Sequence, residues 1–456
     1  MELDGERNRN VVDTRVVAPE TGRLTFGNLS QEVVGMRRKR AANWIAVLLT
    51  TASCSRVYIG HPSMPPVPSI EEEAVVYVLG DLGIDNDSFR QVVRSLQEDV
   101  EKDGVEPLLL AVGDNLYHAG LPRVSEQASA SGQEAIDRLR SIATLLCSVQ
   151  FHGRSVPLVL VPGNHDYDGD ALKHDRRLGD ITRWYFPDAL KIVGTEGWTM
   201  MPGDPESIGA KDSADLYRKL YENDDVPSTL ATFMKPRALT LGQGALTVVG
   251  IDSELLLDLY ATDAELADAY LSELERTLSG SRSTWTLVAA HHPLATGGAH
   301  HPGLPQRFFL GPGWPQYPAP WHKLLIWAGP FITLGRWAVH SRQDIHNGAY
   351  EQYRHQLYQV LRDTNTDLML AGHDHNTQLI RLSEAFEDSH DRERERPLQV
   401  LTGEVSKVDP VAKQKGTVFY HADGGYVRIA VSRERIELEA KNRRGETIDK
   451  YALEKR

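Results

Sequence analysis

The chain has 456 residues, is 41% hydrophobic and 25% charged, and carries a formal charge of -13. This make-up is that of a soluble globular protein with one large domain or two ordinary ones, and it excludes disorder over the whole length. The acidic balance argues against a nucleic-acid partner, which needs a basic face to release counterions from phosphates. Two cysteines, Cys54 and Cys147, are too few for a disulfide framework or a thiolate zinc site, so any metal must be held by oxygen and imidazole.

Residues 1–35 read as a disordered leader upstream of a second candidate start, Met36. Arg37, Arg38, Lys39 and Arg40 then precede a mostly apolar stretch, and the small residues Thr51, Ala52 and Ser53 precede Cys54. The layout of 36–54 resembles a bacterial lipoprotein signal, although Thr51 stands where such signals usually carry leucine. The apolar stretch is shorter than the ~20 residues of a spanning helix. The resemblance therefore implies cleavage before Cys54, lipidation of its thiol and an anchored, extracytoplasmic envelope protein, with a periplasmic or secreted protein as the alternative. Pro62, Pro65, Pro66 and Pro68 mark residues 55–73 as a stiff linker.

From residue 74 one pattern recurs. Short aliphatic and β-branched runs at 74–79, 108–112, 158–161, 286–290 and 367–371 each end in Gly, Asp, Asn or His, which predicts buried strands. Helical periodicity lies between them at 87–101, 132–148, 264–278 and 349–363. Strands alternating with helices predict an α/β fold with ligand sites at the carboxyl ends of the strands. Residues 398–453 change to alternating Val, Ile and Tyr, predicting antiparallel strands that finish a sheet.

The polar clusters fall at those strand ends: Gly80-Asp81-Leu82-Gly83, Gly113-Asp114-Asn115-Leu116-Tyr117, Gly163-Asn164-His165-Asp166, Ala290-His291-His292 and Gly372-His373-Asp374-His375. Each alone has a duller reading. An Asp after a strand caps helices, a Tyr anchors in a half-buried position, an Asn takes a turn conformation, and two His one residue apart can simply pack on one strand face. Five coincidences at strand ends are what those readings fail to predict.

Together the five motifs resemble the calcineurin-like metallophosphoesterases, and among them the purple acid phosphatases. The resemblance implies an αββα sandwich over 74–453, two mixed sheets flanked by helices, with an insertion at 297–348. It assigns Asp81, Tyr117 and His375 to one metal ion and Asn164, His291 and His373 to another, with Asp114 bridging. Two cations ~3.5–4 Å apart need such a shared anion to offset their repulsion. Imidazole, carboxylate and amide donors suit iron, zinc or manganese better than calcium or magnesium. Many relatives carry a histidine where this chain has Gly83, and the phenolate of Tyr117 is a hard donor that favours Fe(III), leaving Fe(II), Zn or Mn for the other position.

The implied reaction is hydrolysis of a phosphate ester, as a phosphomonoesterase, by direct attack of a metal-bound hydroxide. His165 would assist the leaving oxygen, Asp166 would orient His165, and His292 would either touch substrate or pack. A phosphodiesterase or pyrophosphate hydrolase acting on lipid-linked or nucleotide substrates would use the same metals. An envelope lipoprotein that binds rather than cleaves is the reading from another class, disfavoured by His165 beside the ligands. The insertion carries Trp314, Trp321, Trp327 and Trp337, which suits either a cover over the core or a lid or membrane-facing wedge.

Overall fold

A computed structural model describes residues 72–117, 129–166, 236–300, 345, 347–386, 396–409 and 411–455. The lipoprotein-type segment with Cys54, the linker up to 71 and most of the 297–348 insertion lie outside the described residues. Among the described residues no helix is long and apolar enough to cross a membrane.

The aliphatic runs become strands that are buried on both faces. In β1 (Ala74–Leu79) every residue is buried: Val75, Tyr77 and Leu79 enter a layer with Phe89, Val92 and Leu96 of α1 (Asp87–Val100), while Val76 and Val78 enter a layer with residues of a second sheet. Burying a Val or Leu side chain on such a face contributes roughly 1.5–3 kcal/mol. β2 (Leu108–Val112) and β5 (Leu158–Val161) run parallel to β1. Between them lie α2 (Ala130–Cys147) and a small hairpin of β3 (Gln150–Phe151) and β4 (Arg154–Ser155).

A second series follows: β6 (Arg237–Leu241), β7 (Leu246–Gly250), α3 (Ser253–Thr262), α4 (Ala264–Ser279), β8 (Trp285–Ala289), α5 (Gly348–Asp363), β9 (Leu368–Ala371), β10 (Thr377–Arg381), α6 (Leu382–Ala385) and β11 (Leu398–Thr402). The chain closes with β12 (Thr417–His421), β13 (Gly425–Val431), β14 (Arg435–Asn442) and β15 (Thr447–Glu454). Asn86, Ser129, Asp252, Asp263 and Asn347 start the five longer helices, each side chain accepting a hydrogen bond from an N–H of the first turn.

One sheet has the order β15-β14-β13-β1-β2-β5, the other β12-β10-β11-β9-β8-β7-β6. Their facing sides share one apolar layer that includes Val112, Leu287, Leu370, Val427 and Leu438. α1 and α2 cover the outer face of the first sheet, and α3, α4 and α5 that of the second. This is the expected mixed α/β sandwich with helices on both sides. The expectation for 398–453 needs correction, because those strands do not finish a single sheet. β11 joins the second sheet parallel to β9, β12 joins it antiparallel to β10, and only β13 to β15 complete the first sheet. Both sheets had open edges to fill, and the alternating pattern alone does not say which.

Candidate metal centre

Parallel strands bring their carboxyl ends to one edge, and there the five motifs meet. Asp81 follows β1, Asp114 and Tyr117 follow β2, Asn164 follows β5, His291 follows β8, and His373 and His375 follow β9. Asp81, Asp114 and His373 hold left-handed backbone conformations, with φ of 57°, 53° and 72°. Such positions cost of order 1–3 kcal/mol each for non-glycine residues and collect at functional sites. Gly113, at φ 94°, lets β2 pass against the neighbouring motif, since a Cβ there would lie 2.2 Å from His291 Nδ1.

In one half of the cluster, Tyr117 Oη lies 2.6 Å from Asp81 Oδ1, 2.9 Å from Asp114 Oδ2 and 3.1 Å from His375 Nε2. In the other, Asn164 Oδ1 lies 2.9 Å from His291 Nε2 and 3.0 Å from His373 Nδ1, and those two nitrogens are 3.2 Å apart. Asp114 faces both halves, its Oδ1 standing 3.3 Å from His291 Nε2. Donor atoms of Asp81, Asp114 and His291 all lie within 4.8 Å of one another, as do ring nitrogens of His291, His292 and His373.

These residues fit a pair of cations. Val112 O can only accept, so His291 Nδ1, 2.9 Å away, carries a proton; in the neutral ring that a metal ligand requires, the Nε2 lone pair would point at the carbonyl oxygen of Asn164. One phenol proton likewise serves two carboxylate oxygens. Lone pairs converge in both halves, and either additional protons or a cation must separate them. The electrostatics show the strain. Burial and the charges of Asp114 and Asp81 push the Tyr117 phenol well above its ordinary pKa. Burial would depress His375, but the bonds to Asp409 and Asp81 outweigh it and raise the imidazole to about 10.

Gly83 is part of the same design. A Cβ at 83 would fall 2.5 Å from Tyr117 N and 2.6 Å from its ring, so only glycine leaves room for the phenol. Tyr117 N donates to Gly83 O, and Gly83 N donates to Asp114 O, tying the two motifs together.

The three residues read as catalytic are placed differently from one another. His165 is half-buried beside the cluster; its N–H donates to Asp114 Oδ1 at 2.9 Å and its ring meets Tyr117 edge-on at 4.6 Å between centroids. The Asp166 carboxylate accepts from the N–H groups of Asn115, Leu116 and Gly163 and from Asn115 Nδ2, bracing the loop that carries Asp114 and Tyr117. Burial and the nearby Asp114 charge raise Asp166 to about 7. His292 is fully buried behind His291, its Nδ1 on Ser253 Oγ at 2.9 Å, and burial together with the His291 charge holds its pKa well below the ordinary value.

Sequence reasoning missed three groups. The loop after β11 lies over the Tyr117 half: Ser406 Oγ donates to Asp81 O, Lys407 Nζ stands 3.1 Å from the Tyr117 ring centroid, and Asp409 binds His375 Nδ1. Burial lowers the pKa of Lys407 although Asp81, Asp114 and Asp409 act to raise it. The start of α1 fixes this loop, through Asn86 Nδ2 to Ser406 O and Ser88 Oγ to Val405 O. Secondly, His300 stacks on His373 at 4.1 Å and is held through Nδ1 by the buried Asp374 at 2.8 Å. Thirdly, Ser253 Oγ accepts from the N–H groups of His291 and His292. The run of β11 into Gly403 and that of β7 into Asp252 carried the same signature as the five that were read.

The layering and the donor set define an αββα sandwich whose strand ends form a candidate metal centre. A sequence profile described as calcineurin-like phosphoesterase matches residues 74–313, more than half of the chain, and the protein belongs to that family. His and Asp groups able to hold metal ions accord with a phosphoesterase hydrolase. No curated protein matches the chain in sequence. Similar solved structures include GAP50, the anchor in the inner membrane complex of Plasmodium, at 15% identity and TM-score 0.49, covering 84% of this chain and 89% of that one. Purple acid phosphatase PPD1 from yellow lupin (Lupinus luteus) seeds has 13% identity and TM-score 0.48, covering 84% and 53%. PhoD has 13% identity and TM-score 0.43, covering 84% and 70%.

Proposed function

We propose that the protein hydrolyses phosphate monoesters with two bound cations. Asp81, Tyr117 and His375 would hold one, Asn164, His291 and His373 the other, and Asp114 both. The observation that carries this reading is the division of the Asp114 carboxylate, with Oδ2 2.9 Å from Tyr117 Oη and Oδ1 3.3 Å from His291 Nε2. Bound cations would neutralise phosphoryl charge and lower the pKa of an attacking water from 15.7 towards ~7. Asp81, Asp114 and the Tyr117 phenol make the first half rich in anionic oxygen, so we assign trivalent iron there and divalent iron, zinc or manganese to the imidazole-rich half.

The remaining work falls to the chain's own groups. His165, fixed by its N–H on Asp114, offers an imidazole beside the cluster to protonate the leaving oxygen. His300, held by Asp374 and stacked on His373, presents a second imidazole at the same edge. Asp409 fixes the His375 ring from behind through Nδ1, leaving Nε2 to point inward.

Protein loaded with iron and zinc is expected to bind two ions and cleave a soluble aryl phosphate, and a chelator is expected to leave it folded, inactive and rescuable. His165→Ala should keep both ions and lose about 100- to 10,000-fold in turnover. Equal loss of metal would place His165 among the ligands. Iron-loaded protein should show a visible phenolate band that vanishes in Tyr117→Phe; a colourless, fully active zinc or manganese protein would refute the iron assignment.

A further inference from the structure

The loop after β11 leaves one charge unanswered. Lys407 is half-buried and its ammonium lies on the face of the Tyr117 ring. Among the described residues it makes no hydrogen bond or ion pair, although three aspartates lie near. Those carboxylates are already engaged: Asp81 with Tyr117 Oη and the His373 N–H, Asp114 with Tyr117 Oη and the His165 N–H, Asp409 with His375. Moving an ammonium partly out of water without an anion is unfavourable, and the cation–π contact offsets only part of that cost. The same contact holds the ammonium beside the oxygen donors rather than out in solvent.

We propose that Lys407 binds a phosphoryl oxygen of the substrate on the Tyr117 side and selects dianionic phosphate monoesters over monoanionic diesters. This inference rests on the phosphoesterase reading above and names its substrate class. A monoester near neutral pH carries a charge of about -1.5 to -2, and a diester carries one negative charge. A fixed cation therefore gains more from the former, which also offers a charge-assisted N–H···O bond three terminal oxygens against two. Bound cations would add a preference of the same sign, so the Lys407 share is read only by removing its charge at matched metal content.

The test compares wild type, Lys407→Gln and Lys407→Arg at matched metal content. It measures kcat/KM for an aryl monoester and a bis-aryl diester with the same leaving group, together with calorimetric affinity for inorganic phosphate. In Lys407→Gln, monoester kcat/KM and phosphate affinity should each fall about tenfold or more, diester kcat/KM should fall clearly less, and Lys407→Arg should recover most of the loss. Equal losses on both esters would overturn the proposal and make Lys407 a support for Tyr117. So would an unchanged ester ratio with unchanged phosphate affinity, which would make it packing. If metal-loaded wild type cleaves neither ester, the hydrolase reading fails, while the phosphate titration still decides whether Lys407 contacts the anion.

Discussion

The two halves of the cluster are built to different standards. The His291 and His373 half is closed: His291 is locked by Val112 O, His373 is stacked by His300, and Asn164 bonds both. The Tyr117 half is more open, with the His375 side chain 17% exposed against none for His291, and its lid is the loop of residues 403–409 rather than a strand end. The donors of both halves come from strand ends; one half is mainly nitrogen and amide, and the other is mainly anionic oxygen backed by a loop. If it holds two ions as proposed, such a site would give them unequal environments, and an acid–base or redox difference between them would follow from the donors.

Breaking the shared element should have the largest effect. Asp114→Asn removes the charge that both halves use, and turnover should fall about a thousandfold or more with loss of both ions. Retention of two ions with near-normal turnover would mean that the halves are independent. A sharper cut is Asp409→Asn, which touches only the loop-supported half. Weakening a carboxylate behind a ligating imidazole typically costs about 10–100-fold in metal affinity. Chelator competition should show that loss for the coloured, Tyr117-side ion and little change for the other; a matched loss of both would erase the contrast.

The smallest effect concerns the scaffold at the C-terminal end of α1. Asp99 of α1 binds Lys441 Nζ at 2.8 Å, Tyr426 Oη at 2.7 Å and Lys102 Nζ at 3.0 Å. Burial acts to raise its pKa, yet these partners hold it below the ordinary value. A depressed carboxylate contributes stability above its unfolded pKa of ~3.9 and loses it as pH falls through the folded value. The stability gap between wild type and Asp99→Asn, read by denaturant titration, should therefore be constant near neutrality and shrink in acid below about pH 4. A gap that widens in acid would contradict the sign.

What the sequence made legible was whatever a strand end announces. An aliphatic run followed by Gly-Asp, Gly-Asn-His or Gly-His-Asp-His marks a polar group at a strand end, and the resemblance of five such motifs to the metallophosphoesterases is what named the seven proposed ligands. Groups that act through a third residue leave no such mark. Asp166 sits next to His165 in sequence, but its carboxylate accepts from the N–H groups of Asn115, Leu116 and Gly163. Ser253 looks like an ordinary helix-start residue, yet its hydroxyl supports both His291 and His292. Lys407 and Asp409 follow an apolar run at the usual distance, but a lysine and an aspartate in a polar loop are indistinguishable from solvated charges until α1 is seen to pin that loop. The strands after residue 398 were legible but the sheets they join were not, for a related reason, since alternation reports a face and not a neighbour.

The contact between Gly83 and Tyr117 makes ligand identity at this corner a paired trait. A side chain introduced at 83 collides with the phenol's own backbone at 2.5 Å, and removing the phenol while keeping the glycine leaves that corner short of a donor. Placing imidazole at 83 would thus demand a shift of the 116–117 backbone besides exchanges at 83 and 117, and on the ligand assignment proposed above either exchange alone would leave the corner crowded or short of a donor.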